Sequence, residues 1–222
     1  MANWDILLLD KSASMISSKN EMIKGFNELV REQKSQNSTN LFTVITFNQE
    51  VEILKEETFP NVKEIEGADI MLKGSTALLD AVGTAYDMIL KNEKYTDINM
   101  TIITDGLENS SNIYTFDLLD SKKEMIDKKY KLNIVFIGAD ISCINKNAVN
   151  RHATQSVDYS GDIQEALRIA SRSMSSQREG SNYVPKGLVE NNTVTPLIMK
   201  RSASHLNETP PRVKRCKTFC DP

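Results

Sequence analysis

The stretch "DILLLDKSASMISS", residues 5–18, runs four apolar residues, Ile6 to Leu9, directly into Asp10, and Ser12 and Ser14 follow at alternate positions. An almost continuous apolar run of this kind predicts a strand covered on both faces, as in a parallel sheet with helices above and below. An acid at the carboxyl end of such a strand stands where open α/β sheets place their ligands. Three readings of the cluster compete: a cation site, a phosphoenzyme nucleophile, or the cap of the next helix.

Working outward, the pattern keeps alternating strand and helix. Trp4 to Leu9 is followed by S-x-x-E at Ser18 and Glu21, which predicts a capping box for a helix reaching about Gln33 with Met22, Phe26, Leu29 and Val30 on one face. "LFTVITF", 41–47, predicts a strand that "NQE" turns back into "VEILK" as an antiparallel edge hairpin. A helix from about Ala77 to Lys91, the strand "INMTIIT" (98–104), a helix from about Phe116 to Lys129 and the strand "LNIVFIG" (132–138) come next. A short helix over 142–150, the short strand "QSVDY" and a helix carrying Ile163, Ala166, Leu167, Ala170 and Met174 to about Gln177 complete the series. These βαβ units predict an α/β fold: a doubly wound, mostly parallel, Rossmann-like sheet of six strands with one short antiparallel edge strand.

The domain is expected to span 1–179. Residues 180–222 lack a sustained period and cluster Lys200, Arg201, Arg212, Lys214, Arg215 and Lys217, so they read as a basic, proline-containing tail, flexible or draped over the domain. "GLVENNTVTPLIM", 187–199, is the apolar stretch within it that could pack as a strand-like arm. "RVKRCK" reads as solvated tail, with an anionic-surface patch or a localisation signal as the sharper alternatives.

A net charge of −3 argues against a nucleic-acid partner, which needs a basic footprint. No window of about 18 apolar residues is present, so no membrane span is expected. "MANWDILLLD" lacks the basic and small-residue features of a signal peptide, which points to a cytoplasmic protein. The three cysteines, Cys143, Cys216 and Cys220, then read as free thiols; Cys216 and Cys220 lack the second ligand pair a zinc site needs. The sequons at Asn37, Asn109, Asn191 and Asn207 carry little weight without a secretory route.

Asp105 ends the strand "MTIITDG", and "KGSTALLDA" places Thr76 in a loop just before a helix. If the strands are neighbours, Asp10, Ser12, Ser14, Thr76 and Asp105 converge on one rim. Two carboxylates and three hydroxyls are hard oxygen donors, which suit Mg²⁺, Mn²⁺ or Ca²⁺ and not zinc. An aspartyl-phosphate enzyme needs a second acid two residues after the first, where Ser12 stands. A serine hydrolase has only His152 and His205 to draw on, the first in a stretch of weak secondary-structure pattern and the second in the tail. Capping by Ser14, Ser17 or Ser18, with Asp10 satisfying backbone amides, accounts for one serine and leaves Thr76 and Asp105 unexplained.

"DKSAS", "GSTAL" and "TDGLEN", in this order and spacing, resemble the metal-ion-dependent adhesion site of the von Willebrand factor A domain, most of all its compact prokaryotic and viral forms. "GFNELVREQK" and "GSTALLDAVG" are further similar stretches, and the resemblance covers about 1–178. It implies that Asp10, Ser12, Ser14, Thr76 and Asp105 are the five metal positions, with Asp105 often acting through water. It also implies a non-enzymatic module whose cation takes an Asp or Glu from a partner protein. The alternatives are a Mg²⁺-dependent hydrolase using the same ion, and a structural subunit with an unused site. Asp80 is expected to support the site or lie exposed; Asp140 to serve a turn or cap, with lining the rim as the alternative; and Glu108 and Asn109 to be solvated, with contact to a partner as the alternative.

Overall fold

The computed structural model describes residues 3–36, 38–139, 148–159, 162–180 and 188–189. Its strands are β1 (Trp4–Asp10), β2 (Leu41–Phe47), β3 (Val51–Thr58), β4 (Asp97–Thr104), β5 (Lys131–Gly138), β6 (Gln155–Asp158) and the two-residue β7 (Leu188–Val189). They form one sheet in the order β3-β2-β1-β4-β5-β6-β7. The five inner strands, β2, β1, β4, β5 and β6, run parallel, while β3 and β7 pair antiparallel at the two edges. The six expected strands are thus all present, with β7 added beyond them. Residues Met1–Asn191 form one compact unit, which takes in β7 past the expected boundary at 179; Asn192–Pro222 lie outside the described residues.

The helices are α1 (Lys19–Ser35), α2 (Leu78–Lys91), α3 (Phe116–Asp127) and α4 (Ile163–Arg178). All seven residues of β1 are buried, because successive side chains enter two different cores. Leu7 and Leu9 pack with Phe26, Val30, Leu167 and Ala170 of α1 and α4, whereas Ile6 and Leu8 pack with Val82, Tyr86, Leu119 and Ile126 of α2 and α3. Each such burial contributes on the order of 1.5–3 kcal/mol, which anchors β1 between the two layers of helices. The edge strand β3 exposes Glu52, Glu56 and Glu57, a charged border that discourages pairing with another chain.

One local expectation fails. Ser18 makes no side-chain cap, and its backbone (φ −103°, ψ 12°) is close to helical, where a capping box needs an extended residue. The reason is that a 3₁₀ turn, Ala13–Ser18, feeds straight into α1. The expected helix over 142–150 falls partly outside the described residues; Ala148–His152 is a 3₁₀ turn. Among the described residues, no helix is long and apolar enough to cross a membrane.

Strand register positions the rim. β1 is flanked on one side by β2 (Asp10 opposite Phe47) and on the other by β4 (Leu9 opposite Ile103), so the carboxyl ends of β1 and β4 emerge side by side.

Candidate functional site

Three loops meet at this end of the sheet. The first leaves β1. Asp10 is fully buried; its Oδ1 accepts the Ser12 backbone N–H at 2.7 Å and its Oδ2 accepts the Thr104 hydroxyl at 2.5 Å. Burial pushes the Asp10 carboxyl up to about 6, against the opposing hydrogen bonds from Thr104 and Ser12, and the nearby Asp105 charge adds to the rise. Ser14 donates to Asp105 Oδ1 at 2.6 Å, and Ser12 Oγ lies 3.0 Å from Ser14 Oγ. A hydroxyl has one proton to give, so with Ser14 donating to Asp105, Ser12 is the donor to Ser14. Partial burial also holds Asp105 above the usual carboxylate range, the bond from Ser14 opposing it.

The second loop, 73–77, carries Thr76 and is clamped by its backbone. Lys73 N–H donates to Lys11 C=O (3.0 Å), Ala13 N–H to Gly74 C=O (3.0 Å) and Ala77 N–H to Asn48 C=O (2.7 Å). The Asn48 side chain adds a bond from Nδ2 to Lys73 C=O at 3.0 Å. Gly74 takes φ +76°, a left-handed conformation that a residue with a Cβ adopts only under strain, and Gln49 Oε1 would lie 2.5 Å from such a Cβ.

The third loop follows β4. Asn109 brackets Thr76, accepting its N–H at Oδ1 (2.9 Å) and donating its own N–H to Thr76 C=O (3.1 Å). Gly106 sits between Thr76 and Asp10: a Cβ there would lie 3.0 Å from Thr76 Oγ1 and 3.8 Å from Asp10 Oδ2. The missing side chain leaves the rim open between these two oxygens. All five residues singled out in the sequence therefore meet on one rim.

Residues outside these five hold the rim in place. Thr104, the last residue of β4, fixes Asp10. Glu108 accepts the N–H groups of Ser110 (2.9 Å) and Ser111 (2.8 Å) at Oε1, and the Leu79 N–H in the first turn of α2 (2.9 Å) at Oε2. Asp80 accepts the N–H groups of Asn112, Ile113 and Tyr114 at 2.9–3.0 Å. Glu108 and Asn109 are thus engaged and not merely solvated, and Asp80 is buried as the anchor of the loop. Asp140 lies outside the described residues.

His152 is committed elsewhere: Nδ1 shares a 3.0 Å hydrogen bond with the Tyr86 hydroxyl, and Nε2 lies 2.6 Å from Asp120 Oδ1, between α2 and α3. A cavity of about 350 Å³ lies at the opposite end of the sheet, lined by Asn40, Asp97 and Arg178 among others, and includes none of the five. Among the described residues no three His, Cys, Asp or Glu side chains converge, so an ion at the rim would lean on hydroxyls as well as its two carboxylates. That donor set fits a hard divalent cation: two anionic oxygens, three hydroxyls and an opening kept by Gly106.

No protein-family model matches this chain, and no curated protein matches it. Solved structures do. The von Willebrand factor type A protein from Catenulispora acidiphila is similar at TM-score 0.53 and 14% identity, over 78% of this chain and 43% of that one. The pilus adhesin SpaC from Lactobacillus rhamnosus GG, in its open conformation, gives TM-score 0.58 and 12% identity, over 80% of this chain and 30% of that one. The vWF domain of the type V pili tip protein Mfa5 from Porphyromonas gingivalis gives TM-score 0.54 and 9% identity, over 83% of this chain and 97% of that domain. The chain spans less than half the length of the first two and nearly all of the third. At these identities the likeness concerns the fold: this is a von Willebrand factor A-like, Rossmann-like α/β domain.

Proposed function

We propose that the chain is a metal-dependent protein-binding module in which Asp10, Ser12, Ser14, Thr76 and Asp105 hold a divalent cation, Mg²⁺ or else Mn²⁺ or Ca²⁺, that an Asp or Glu of a partner protein completes. The observation that carries this reading is the convergence of two carboxylates and three hydroxyls from three separate loops, with Ser12, Ser14 and Asp105 already linked through hydrogen bonds. When bound, the cation supplies an electrophilic centre that attracts a carboxylate. The chain's own part is to limit the charge it contributes. Two carboxylates at most neutralise a divalent ion, and three hydroxyls add donors without adding charge.

Binding is favoured over hydrolysis by two features. Ser12 occupies the position where an aspartyl-phosphate enzyme needs its second acid, and His152 is engaged with Tyr86 and Asp120 on the α2–α3 side. The fold is shared with proteins described as a pilus adhesin and a pilus tip protein, which agrees with a binding role.

Isothermal titration with Mn²⁺ and Mg²⁺ tests the reading. One site is expected, lost in Asp10→Asn and weakened in Asp105→Asn. Undiminished binding in both variants, or Mg²⁺-dependent phosphatase turnover abolished by Asp10→Asn, would overturn it.

A further inference from the structure

The end of the sheet away from the rim carries a second candidate site, independent of any cation. The cavity of about 350 Å³ there is lined by Asn3 just before β1, Gln36 and Asn40 from the connection between α1 and β2, Asp97 at the start of β4, and Gln177 and Arg178 at the end of α4. Its volume falls within the range of small-molecule pockets, about 300–1,000 Å³. Unlike most such pockets, it has no aromatic or aliphatic side chain among its described lining residues, so it selects by charge and hydrogen bonding. Backbone and side-chain bonds hold the wall in place before any ligand arrives: Ser38 N–H donates to Gln33 C=O at 3.1 Å, Leu41 N–H to Asn3 C=O at 3.2 Å, and Asn40 Nδ2 to Asp5 Oδ2 at 2.8 Å.

Three groups on this wall define the occupant. Gln177 buries both atoms of its side-chain amide, and neither has a hydrogen-bond partner among the described residues. A donor and an acceptor buried and left open together are costly, and a roomy polar cavity is where an occupant can satisfy both. Arg178 donates only to neutral groups: Gln33 Oε1 at 2.5 Å, Gln36 Oε1 at 2.6 Å and Ser175 Oγ at 3.3 Å. These bonds use three of the five N–H donors of a guanidinium, and the buried Asp5 attracts it without a bond. Asp97 has Lys131 Nζ at 3.6 Å, but that side chain is 79% exposed, and such a surface pair contributes little. Opposite charges thus line one cavity without pairing with each other. We infer that the cavity binds a small zwitterion of the amino-acid class. Its carboxylate lies on Arg178 and its ammonium on Asp97, and the Gln177 amide gives a donor to the first and an acceptor to the second. A lone anion would be repelled by Asp97 and a lone cation by Arg178, while water would satisfy Gln177 and leave both charges unpaired.

The test uses the full chain in EDTA, so that no cation at the rim can take a carboxylate. The twenty L-amino acids are the probes, one at a time, by thermal shift and then by calorimetry. At least one is expected to raise the melting temperature and to bind at a single site. It should bind at least about tenfold more tightly than the amine and the carboxylic acid that share its side chain. Asp97→Asn should weaken that binding about tenfold or more. Gln177→Leu should weaken it comparably, yet leave the melting temperature of the free chain level or raised, because it removes an amide left open in the fold. No shift from any of the twenty at about 10 mM, or equal affinity for the single-charge analogues, would overturn the inference. Full affinity in both variants would do the same. A free Gln177→Leu chain melting several degrees below the wild type would also sink it, by assigning the amide to the fold instead of a ligand.

Discussion

Ser14 Oγ donates a 2.6 Å hydrogen bond to Asp105 Oδ1 across 91 positions of the chain, closing the gap between the loop after β1 and the loop after β4. The bond exists because β1 and β4 are parallel neighbours in a register that pairs Leu9 with Ile103. It connects two oxygens that a cation would recruit, so the order already present in the rim reduces the entropy a bound ion would otherwise remove.

Asp105→Asn should keep an acceptor for Ser14 while deleting one of the two negative charges. Divalent-cation affinity is expected to fall at least about tenfold, as loss of a close unit charge in a partly desolvated site requires. Thermal stability without metal should stay level or rise, because burial now holds Asp105 above its ordinary carboxylate range. Calorimetric titration and a melting curve on the same sample check both halves. An unchanged cation affinity would place the ion elsewhere.

Gly106→Ala probes the opening itself. The added methyl would sit 3.0 Å from Thr76 Oγ1 and 3.8 Å from Asp10 Oδ2, closer to the first than ordinary contact allows. The expected result is a several-fold loss of Mn²⁺ affinity with a destabilisation of about 1 kcal/mol or less, as for mild overpacking at a half-open position. Full Mn²⁺ affinity in this variant would show that the space between those two oxygens is not where the ion sits.

How much of the molecule is legible in its sequence divides along physical lines. The buried run Ile6–Leu9 and the period-3.6 faces of α2 and α4 reveal the sheet and its layers, because burial is written directly into apolar spacing. The five rim residues are legible because they are hard-oxygen side chains grouped in three short motifs, "DKSAS", "GSTAL" and "TDGLEN", that follow predicted strands or lead into a predicted helix. The supports are less so. Asp80 is expected as one of two alternatives, but Thr104, Asn48 and Glu108 act through hydrogen bonds to partners 25 to 94 positions away, a pairing that depends on loop geometry and leaves no period in the sequence. The capping box at Ser18 misleads for a related reason: S-x-x-E describes a helix that starts afresh, and α1 continues an existing turn.

Gly83 should resist replacement although it lies inside a helix. In isolation Gly→Ala there would gain about 1 kcal/mol of helix propensity. A Cβ at this position would overlap the Tyr114 ring, and Tyr114 is the residue whose N–H Asp80 holds and whose hydroxyl donates to Asp87 at 2.7 Å. Overpacking of about 1–3 kcal/mol should outweigh the propensity gain. Gly83→Ala is therefore expected to lower stability in urea denaturation, and to become neutral or stabilising when combined with Tyr114→Ala. Additive effects of the two changes would separate the glycine from the ring.

Asp5 lies at the opposite end of β1 from the rim and should make stability depend on pH. It is 1% exposed, and its Oδ2 accepts Asn40 Nδ2 at 2.8 Å. Burial pushes its carboxyl from 3.8 up to about 6, against the hydrogen bond from Asn40, the attraction of Arg178 and hydrogen bonding from Asn99. Because the folded value lies above the unfolded one, the native state keeps a proton between about pH 4 and pH 6 that the unfolded chain has released. Stability must therefore fall as pH rises through that window, and the full cost of the buried charge is present above it. Asp5→Asn removes the charge while retaining an oxygen for Asn40. At pH 7.5 it should raise the unfolding free energy by on the order of 2 kcal/mol at most, since the new buried amide nitrogen must find an acceptor that a carboxylate does not need. At pH 4 the variant and the wild type should be nearly equal. Asp10 is raised into the same window, so the slope should diminish and not vanish. Urea denaturation of both proteins across pH 4 to 8 measures the difference directly. Parallel stability curves over that range would show that the Asp5 carboxylate carries no cost in the fold.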